Sequence, residues 1–279
     1  MKKVNFKNND LEASFSKNGY ALIKGFLSLK TVEEIRKIYY KYHVEKVDGL
    51  MWNSLYHVSV PESKSISERL LELIKPELDK LFISYNAPMA TLMSKCALMP
   101  EGLDTPHRDY SVLNEDEFEY RQIWIPIVDI NENNGPMLVV PGSHQYSHEI
   151  LPMMAKCKYR QKVEELSKDY SEPIFMEAGD LLVYADRTIH AGLPNKTVHE
   201  RPVVHFGIIP PELFMIWAIN KDTVAHYFLN LAFFAVVSYA MGYLTFLIGQ
   251  FFYKRSSFRY FRMKFLKESW PLLKKYGLF

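Results

Sequence analysis

Cysteine is nearly absent: Cys96 and Cys157 are the two in 279 residues, and their spacing suggests no partner. A disulfide scaffold and a cysteine-ligated zinc site are both excluded, and the usage fits a reducing compartment. Net charge is scarce too, +2 from 34 Lys+Arg against 32 Asp+Glu. There is no internal repeat and no low-complexity tract. Lys2 and Lys3 have no apolar run behind them, so no secretory signal is expected. With 48% apolar and 24% charged residues, a disordered chain, a collagen-like chain and a multi-pass bundle are ruled out. What remains is ample material for one large core.

The small net charge hides an asymmetry. Residues 253–279 carry eight Lys/Arg against one acid, Glu268, a local +7 that leaves −5 on residues 1–252. A basic tail on an acidic body does not fit a general nucleic-acid binder, whose basic footprint lies on the folded domain. No nucleic-acid partner is expected.

Along residues 10–43 the pattern reads helix, strand, helix. Ser28-Leu-Lys-Thr31 is a cap for a helix from about Val32 to Tyr42. A second helix is expected over Ser65–Leu81, with Leu70, Leu71, Leu73 and Ile74 on one side and Pro76 kinking or ending it. From about Tyr85 the pattern changes to short apolar runs: Ala90–Ala97, Ile123–Ile130, Met137–Val140, Leu181–Tyr184 and Pro202–Ile209. Turn residues such as Asn133-Asn-Gly-Pro136 and Ala178-Gly-Asp180 separate them. Short strands at this spacing predict a β-sandwich or barrel behind the N-terminal helices.

The chemistry lies in Thr105-Pro-His107-Arg-Asp109, Thr188-Ile-His190 and Arg201. On a strand or its end, residues i and i+2 point to one side, so His107 and Asp109 can converge. One imidazole and one carboxylate are two thirds of a 2-His-1-carboxylate facial triad, which binds Fe(II) and leaves open positions for dioxygen and a cosubstrate. His190, closing a strand that begins after Gly179-Asp180, supplies the third ligand. Arg201 opens the next strand, where its guanidinium can grip a carboxylate bidentately. The other histidines read as structural. His144 and His148 lie outside the metal shell, His199 is in a solvated loop, and His205 is a satisfied core residue on an apolar strand.

These residues stand in an order that resembles the phytanoyl-CoA dioxygenase family of Fe(II)/2-oxoglutarate-dependent oxygenases, over about residues 10–211. The similar stretches are Asn18-Gly-Tyr-Ala-Leu-Ile-Lys-Gly-Phe26, Pro106-His107-Arg-Asp109, Trp124-Ile-Pro-Ile-Val-Asp129 and Asn134-Gly-Pro-Met-Leu-Val-Val-Pro-Gly-Ser-His144. Glu177-Ala-Gly-Asp180, His190 and Arg201 complete the set. The resemblance implies a double-stranded β-helix (jelly roll), iron on His107, Asp109 and His190, 2-oxoglutarate chelating that iron, and Arg201 on its far carboxylate. It also places Trp124 beside the cosubstrate. The implied reaction turns 2-oxoglutarate into succinate and CO2 and hydroxylates an unactivated C–H bond. A carboxylate at position 109, rather than Gly or Ala, argues for hydroxylation or desaturation over halogenation. One departure stands out: where the family commonly has a hydroxyl residue two positions after the distal histidine, this chain has Gly192. Weaker cosubstrate binding, or a replacement donor such as Thr188 or Tyr184, is expected. Pocket specificity is expected from residues 45–65 and 110–121.

Residues 227–252 are 26 consecutive positions without Asp, Glu, Lys, Arg or His, enough at ~1.5 Å per residue to cross a ~30 Å hydrocarbon layer. Phe251-Phe-Tyr-Lys-Arg255 ends the run as a membrane–water boundary does. Ala235, Ser238, Gly242, Thr245 and Gly249 fall on one face, which suits close helix approach in lipid and a homo-oligomer contact. The expected division is an oxygenase domain over 1–211 and a hydrophobic, membrane-associating segment with a basic tail over 212–279. The catalytic domain is expected to face the cytoplasm. A single span would put the basic tail on the other side, against the charge bias. A re-entrant hairpin bent near Gly242, a tail anchor and shallow interfacial insertion all stay open. The leading expectation is a membrane-associated hydroxylase of an apolar or lipid-type small molecule. A non-catalytic, membrane-anchored metal- or ligand-binding protein, suggested by Gly192, is the alternative.

Overall fold

A computed structural model describes residues 4–43, 51–98, 105–109, 117–146, 160–211 and 213, all within the compact unit Met1–Phe214. The uncharged run 227–252, its small-residue face and the basic tail lie outside the described residues. No helix among the described residues is long and apolar enough to cross a membrane.

The chain begins with α1 (Asn9–Asn18), capped by the Asn8 side chain, then β1 (Tyr20–Ile23) and α2 (Leu29–Tyr42). Ser28 caps α2 by accepting from the Thr31 N–H at 3.1 Å, so the helix starts three residues before the expected Val32. After β2 (Met51–Asn53), α3 runs over Val60–Leu81. It starts five residues before the expected Ser65, because Ser59 and Glu62 form a reciprocal capping box with Pro61 in the first turn. The helix runs through Pro76 to Leu81. Its buried face is Ile66, Leu70, Ile74 and Leu78, the i, i+4 stripe, while Leu71 and Leu73 are only partly covered.

The rest is mainly antiparallel β: β3 (Thr91–Lys95), β4 (Arg121–Pro126), β5 (Met137–Val139), then α4 (Arg160–Tyr170), β6 (Glu172–Ile174), β7 (Leu181–Ala185), β8 (His190–Gly192) and β9 (Arg201–Ile208). One sheet has the order β1-β7-β4-β9-β3-β2 and the other β6-β5-β8. This two-sheet arrangement behind N-terminal helices agrees with the expected jelly-roll class. The sequence reading missed β2, α4 and β6. It also ran His190 into the strand after Gly179-Asp180; instead β7 ends at Ala185, and His190 opens β8 in the other sheet.

The large sheet is covered on both faces. Ile123, Ile125, Leu181, Val183, Val204, Phe206 and Ile208 pack against the helices, in one cluster with Ile35, Leu70 and Ile74. Trp124, Leu182, Tyr184 and Val203 turn the other way, toward Met137, Val139 and Ile174 of the small sheet. Successive side chains alternate faces, yet both faces are buried, so the strands read as continuous apolar runs rather than alternating ones.

Arg121 breaks this apolar pattern on the helical side. It is fully buried, holds both Glu12 carboxylate oxygens at 2.9 and 3.1 Å, and pairs with Glu119. Its guanidinium lies 4.0 Å from the Phe15 ring centroid and 4.9 Å from that of Phe6. Glu12 also accepts the Phe6 N–H at 2.9 Å, so one guanidinium ties α1 and the segment around Phe6 to β4. Removing one partner of a buried pair leaves uncompensated charge. Arg121→Met is therefore expected to cost about 3–5 kcal/mol and to lower Tm on the order of 10 °C, checked by thermal denaturation; an unchanged Tm removes this role.

Candidate functional site

His107, Asp109 and His190 converge although 83 residues separate the two histidines. Their backbones meet directly: the His107 N–H donates to the His190 carbonyl at 2.9 Å, and the His190 N–H donates back to His107 at 2.8 Å. Asp109 extends the contact, its N–H reaching the Asp186 carbonyl at 3.1 Å. The ring centroids are consequently 4.4 Å apart. Asp109 Oδ1 is 3.8 Å from Nε2 of each imidazole, and one donor atom from each residue falls within 4.8 Å of the others.

The rings are aimed by the same local device. His107 Nδ1 is 2.7 Å from the Thr105 carbonyl and His190 Nδ1 is 2.9 Å from the Thr188 carbonyl. A carbonyl only accepts, so in the neutral rings Nδ1 carries the proton and the Nε2 lone pair faces the common point. Asp109 Oδ2 accepts from the Gln122 amide at 2.9 Å, which leaves Oδ1 turned inward. Two imidazole nitrogens and one carboxylate oxygen, each braced from behind, are a donor set that fits a divalent transition metal such as Fe(II). Pro141-Gly-Ser-His144 is a support, as read from sequence: the Ser143 hydroxyl accepts the Ile189 N–H at 2.8 Å, one residue from His190. His144 turns away to the Ser16 carbonyl at 3.1 Å and His199 is exposed. His148 lies outside the described residues.

The three residues open onto a cavity of about 150 Å³ between the sheets. Trp124 and Arg201 both line it, with the guanidinium 5.0 Å from the indole centroid. Strand register explains what shares this face. Trp124 pairs with His205, Pro126 with Val203, and Lys95 with Arg201, and directly paired residues of antiparallel strands point the same way. Along β9 the inner face therefore runs His205, Val203, Arg201.

Several of these residues were missed or misread in the sequence. His205 is not a core histidine: it lines the cavity, with Tyr184 Oη 3.4 Å from Nε2. Burial holds its pKa below the usual histidine value; Asp109 opposes that effect and His190 adds to it. Thr188 is not the replacement for the missing hydroxyl, since it is fully buried and donates to the Gly19 carbonyl at 2.8 Å. Tyr184 does line the cavity, its ring 4.9 Å from His190. Gln122 and Lys95 gave no local signal. Tyr120 is a further neighbour: burial raises its pKa, and the charges of Asp109 and Asp186 raise it further, so the phenol stays neutral. Met51, Met93 and Met137 supply much of the apolar wall. Met51 falls in the expected specificity stretch 45–65, whereas residues 44–50 and 110–116 lie outside the described residues.

A family model described as phytanoyl-CoA dioxygenase (PhyH) matches residues 15–203. No curated protein matches the chain by sequence. Among solved structures, the non-heme alpha ketoglutarate dependent carbocyclase SnoK from nogalamycin biosynthesis is similar at 18% identity and TM-score 0.53, over 73% of this chain and 84% of that one. HygX from Streptomyces hygroscopicus, solved with nickel and 2-oxoglutarate bound, is similar at 16% identity and TM-score 0.52, over 73% and 87%. At these identities the likeness speaks for the fold.

The hydrogen bonds to Thr105 and Thr188 set the tautomers. Long-range 1H–15N correlation spectra of the metal-free protein are expected to show both neutral rings protonated at Nδ1. A neutral ring protonated at Nε2, for either histidine, overturns this geometry.

Proposed function

The chain belongs to the phytanoyl-CoA dioxygenase family, and on that premise we propose that it is an Fe(II)- and 2-oxoglutarate-dependent dioxygenase that hydroxylates an apolar small molecule. In this reading His107, Asp109 and His190 hold the iron, and Arg201 and Trp124 hold the 2-oxoglutarate. The observation that carries it is a single cavity with the braced His107/Asp109/His190 set in one wall and the Arg201–Trp124 pair in the same lining. When bound, iron supplies the chemistry by which dioxygen and 2-oxoglutarate become succinate, CO2 and a hydroxylated substrate.

The protein's own groups do the positioning. The Thr105 and Thr188 carbonyls present the two Nε2 atoms, and Gln122 fixes the rotation of Asp109. Arg201, 7% exposed and packed on the Trp124 face, offers a planar fork for a carboxylate away from bulk water. Methionines are flexible and apolar, so walls built from Met51, Met93 and Met137 suit a hydrocarbon-like substrate better than a charged one.

Anaerobic loading with Fe(II) followed by 2-oxoglutarate titration is expected to produce the weak visible charge-transfer band of an iron–2-oxo acid complex. His107→Ala and His190→Ala are expected to abolish it. Gln122→Leu is expected to keep the band but weaken metal binding ~10- to 100-fold, as loss of a group behind a ligand does. Iron binding without any band at high 2-oxoglutarate sinks the oxygenase and leaves the metal- or ligand-binding protein. Succinate release with a bound substrate, and the structure of the product, then separate hydroxylation from desaturation or ring closure.

Membrane association belongs to the same proposal and rests on the sequence alone: the uncharged run 227–252 and the basic residues after it. Tethering on the cytoplasmic side, where Fe(II) and 2-oxoglutarate are available, would favour a lipid-type substrate. The full chain is expected to float with vesicles containing anionic lipid in a density gradient. Protein left at the bottom of the gradient removes the tether and, with it, the case for a lipid.

A further inference from the structure

We infer that His205 orients the substrate through a hydrogen bond between its unengaged ring nitrogen and a hydroxyl, so the substrate class is uncharged, largely apolar molecules that carry an alcohol oxygen. This deepens the functional reading above and rests on it.

Along β9 every residue is buried except His205, which keeps some surface and stands in the lining of the cavity. Its backbone is fixed from both neighbouring strands. His205 pairs with Trp124 of β4 and with Thr91 of β3, and the Thr91 hydroxyl donates to the His205 carbonyl at 3.0 Å. Two residues on, a Cβ at Gly207 would collide with the Tyr120 phenol, so the next inward place on the strand is already filled by that ring.

One nitrogen of the imidazole is accounted for. Nε2 lies 3.4 Å from Tyr184 Oη, and the Tyr184 ring in turn sits 4.9 Å from that of His190. Nδ1 has no hydrogen-bond partner among the described residues and is not closed off from the cavity. Nor does His205 belong to the donor set of His107, Asp109 and His190. A neutral imidazole carries one donor and one acceptor. If Nε2 accepts from the phenol, Nδ1 donates; if Nε2 donates, Nδ1 accepts. A hydroxyl answers both cases, a carbonyl only the first, and a hydrocarbon neither.

The rest of the lining gives this atom its meaning. Met51, Met93 and Met137 offer apolar contact without direction. A polar atom left open in such a wall is what fixes how a ligand lies. Because one phenol ring separates His205 from His190, an oxygen held at Nδ1 limits which carbons of the ligand come up to the metal point. His205 thus acts on the position oxidised as well as on the choice of substrate.

The test uses the full chain, 15N-labelled at histidine, with Zn(II) as a diamagnetic stand-in for iron and with 2-oxoglutarate. The probes are benzyl alcohol and ethylbenzene, which differ by a hydroxyl in place of a methyl. Benzyl alcohol is expected to shift the Nδ1 resonance of His205, and ethylbenzene to leave it in place. Ethylbenzene leaves water more readily, so the deciding quantity is how the ratio of the two Kd values changes on substitution, read by ligand-observed titration. His205→Leu is expected to weaken benzyl alcohol about tenfold, the size of one lost hydrogen bond, and to leave ethylbenzene within about threefold. His205→Phe, which keeps a ring without nitrogen, serves should the first variant not fold, and the same result is expected of it. His205→Gln should recover part of the loss. Equal changes for both probes mean that His205 only shapes the cavity. No Nδ1 shift with benzyl alcohol, whether or not it binds, means that the nitrogen does not meet a hydroxyl. A tenfold rise in the Kd of 2-oxoglutarate in His205→Leu means that the residue serves the cosubstrate instead. Each of these three results overturns the inference while the oxygenase reading stands. Absence of the iron–2-oxo acid band removes that reading and leaves the His205 shifts to be read, so the two fail separately.

Discussion

The reciprocal pair of hydrogen bonds between the His107 and His190 backbones, 2.9 and 2.8 Å, is the contact on which the site depends. It joins two distant stretches of chain at the two residues whose side chains must cooperate. Each imidazole then needs only a carbonyl two residues earlier to point its free nitrogen at the other's. The surroundings hold that contact in place. Val139 pairs with His190 from β5, Ser143 receives the Ile189 N–H, and Asp186 receives the Asp109 N–H.

The large sheet supplies the second constraint. Its central strands β7, β4 and β9 are buried on both faces, so each strand residue is committed either to the helical core or to the cavity. Register then decides which residues meet. Gln122 pairs with Tyr184 and Trp124 with His205, while Lys95 pairs with Arg201; together they form a polar–aromatic–cationic sequence across one surface. Arg121, one residue from Gln122, faces the other way and anchors α1 through Glu12. The strand that braces Asp109 on one side is thus held to the N-terminal helix on the other.

Much of this was legible in the sequence because its signals are local or ordered. The Ser28 cap, the apolar runs of β3, β4, β5, β7 and β9, and the succession His107, Asp109, Trp124, His190, Arg201 can each be read along the chain. Other features depend on what lies across the sheet. Covering both faces erases the alternation that would have separated His205, on the cavity side, from Val204 and Phe206 in the core. The break between β7 and β8 is carried by Asp186–Ile189, whose buried turn lacks the glycine or proline that usually marks one. Lys95 and Gln122 acquire meaning only from partners more than ten residues away. The early start of α3 was written locally, in Ser59-Val-Pro-Glu62, and was overlooked beside the stronger leucine pattern that follows.

Charge balance connects the two ends of the cavity. Among the described residues that line it, Asp109 is the one carboxylate, set against Lys95 and Arg201, while burial keeps His205 neutral. A divalent metal held by His107, Asp109 and His190 would add positive charge in a place poorly screened by water. Such a metal and an anionic ligand would then favour each other's binding, and linkage makes the effect reciprocal.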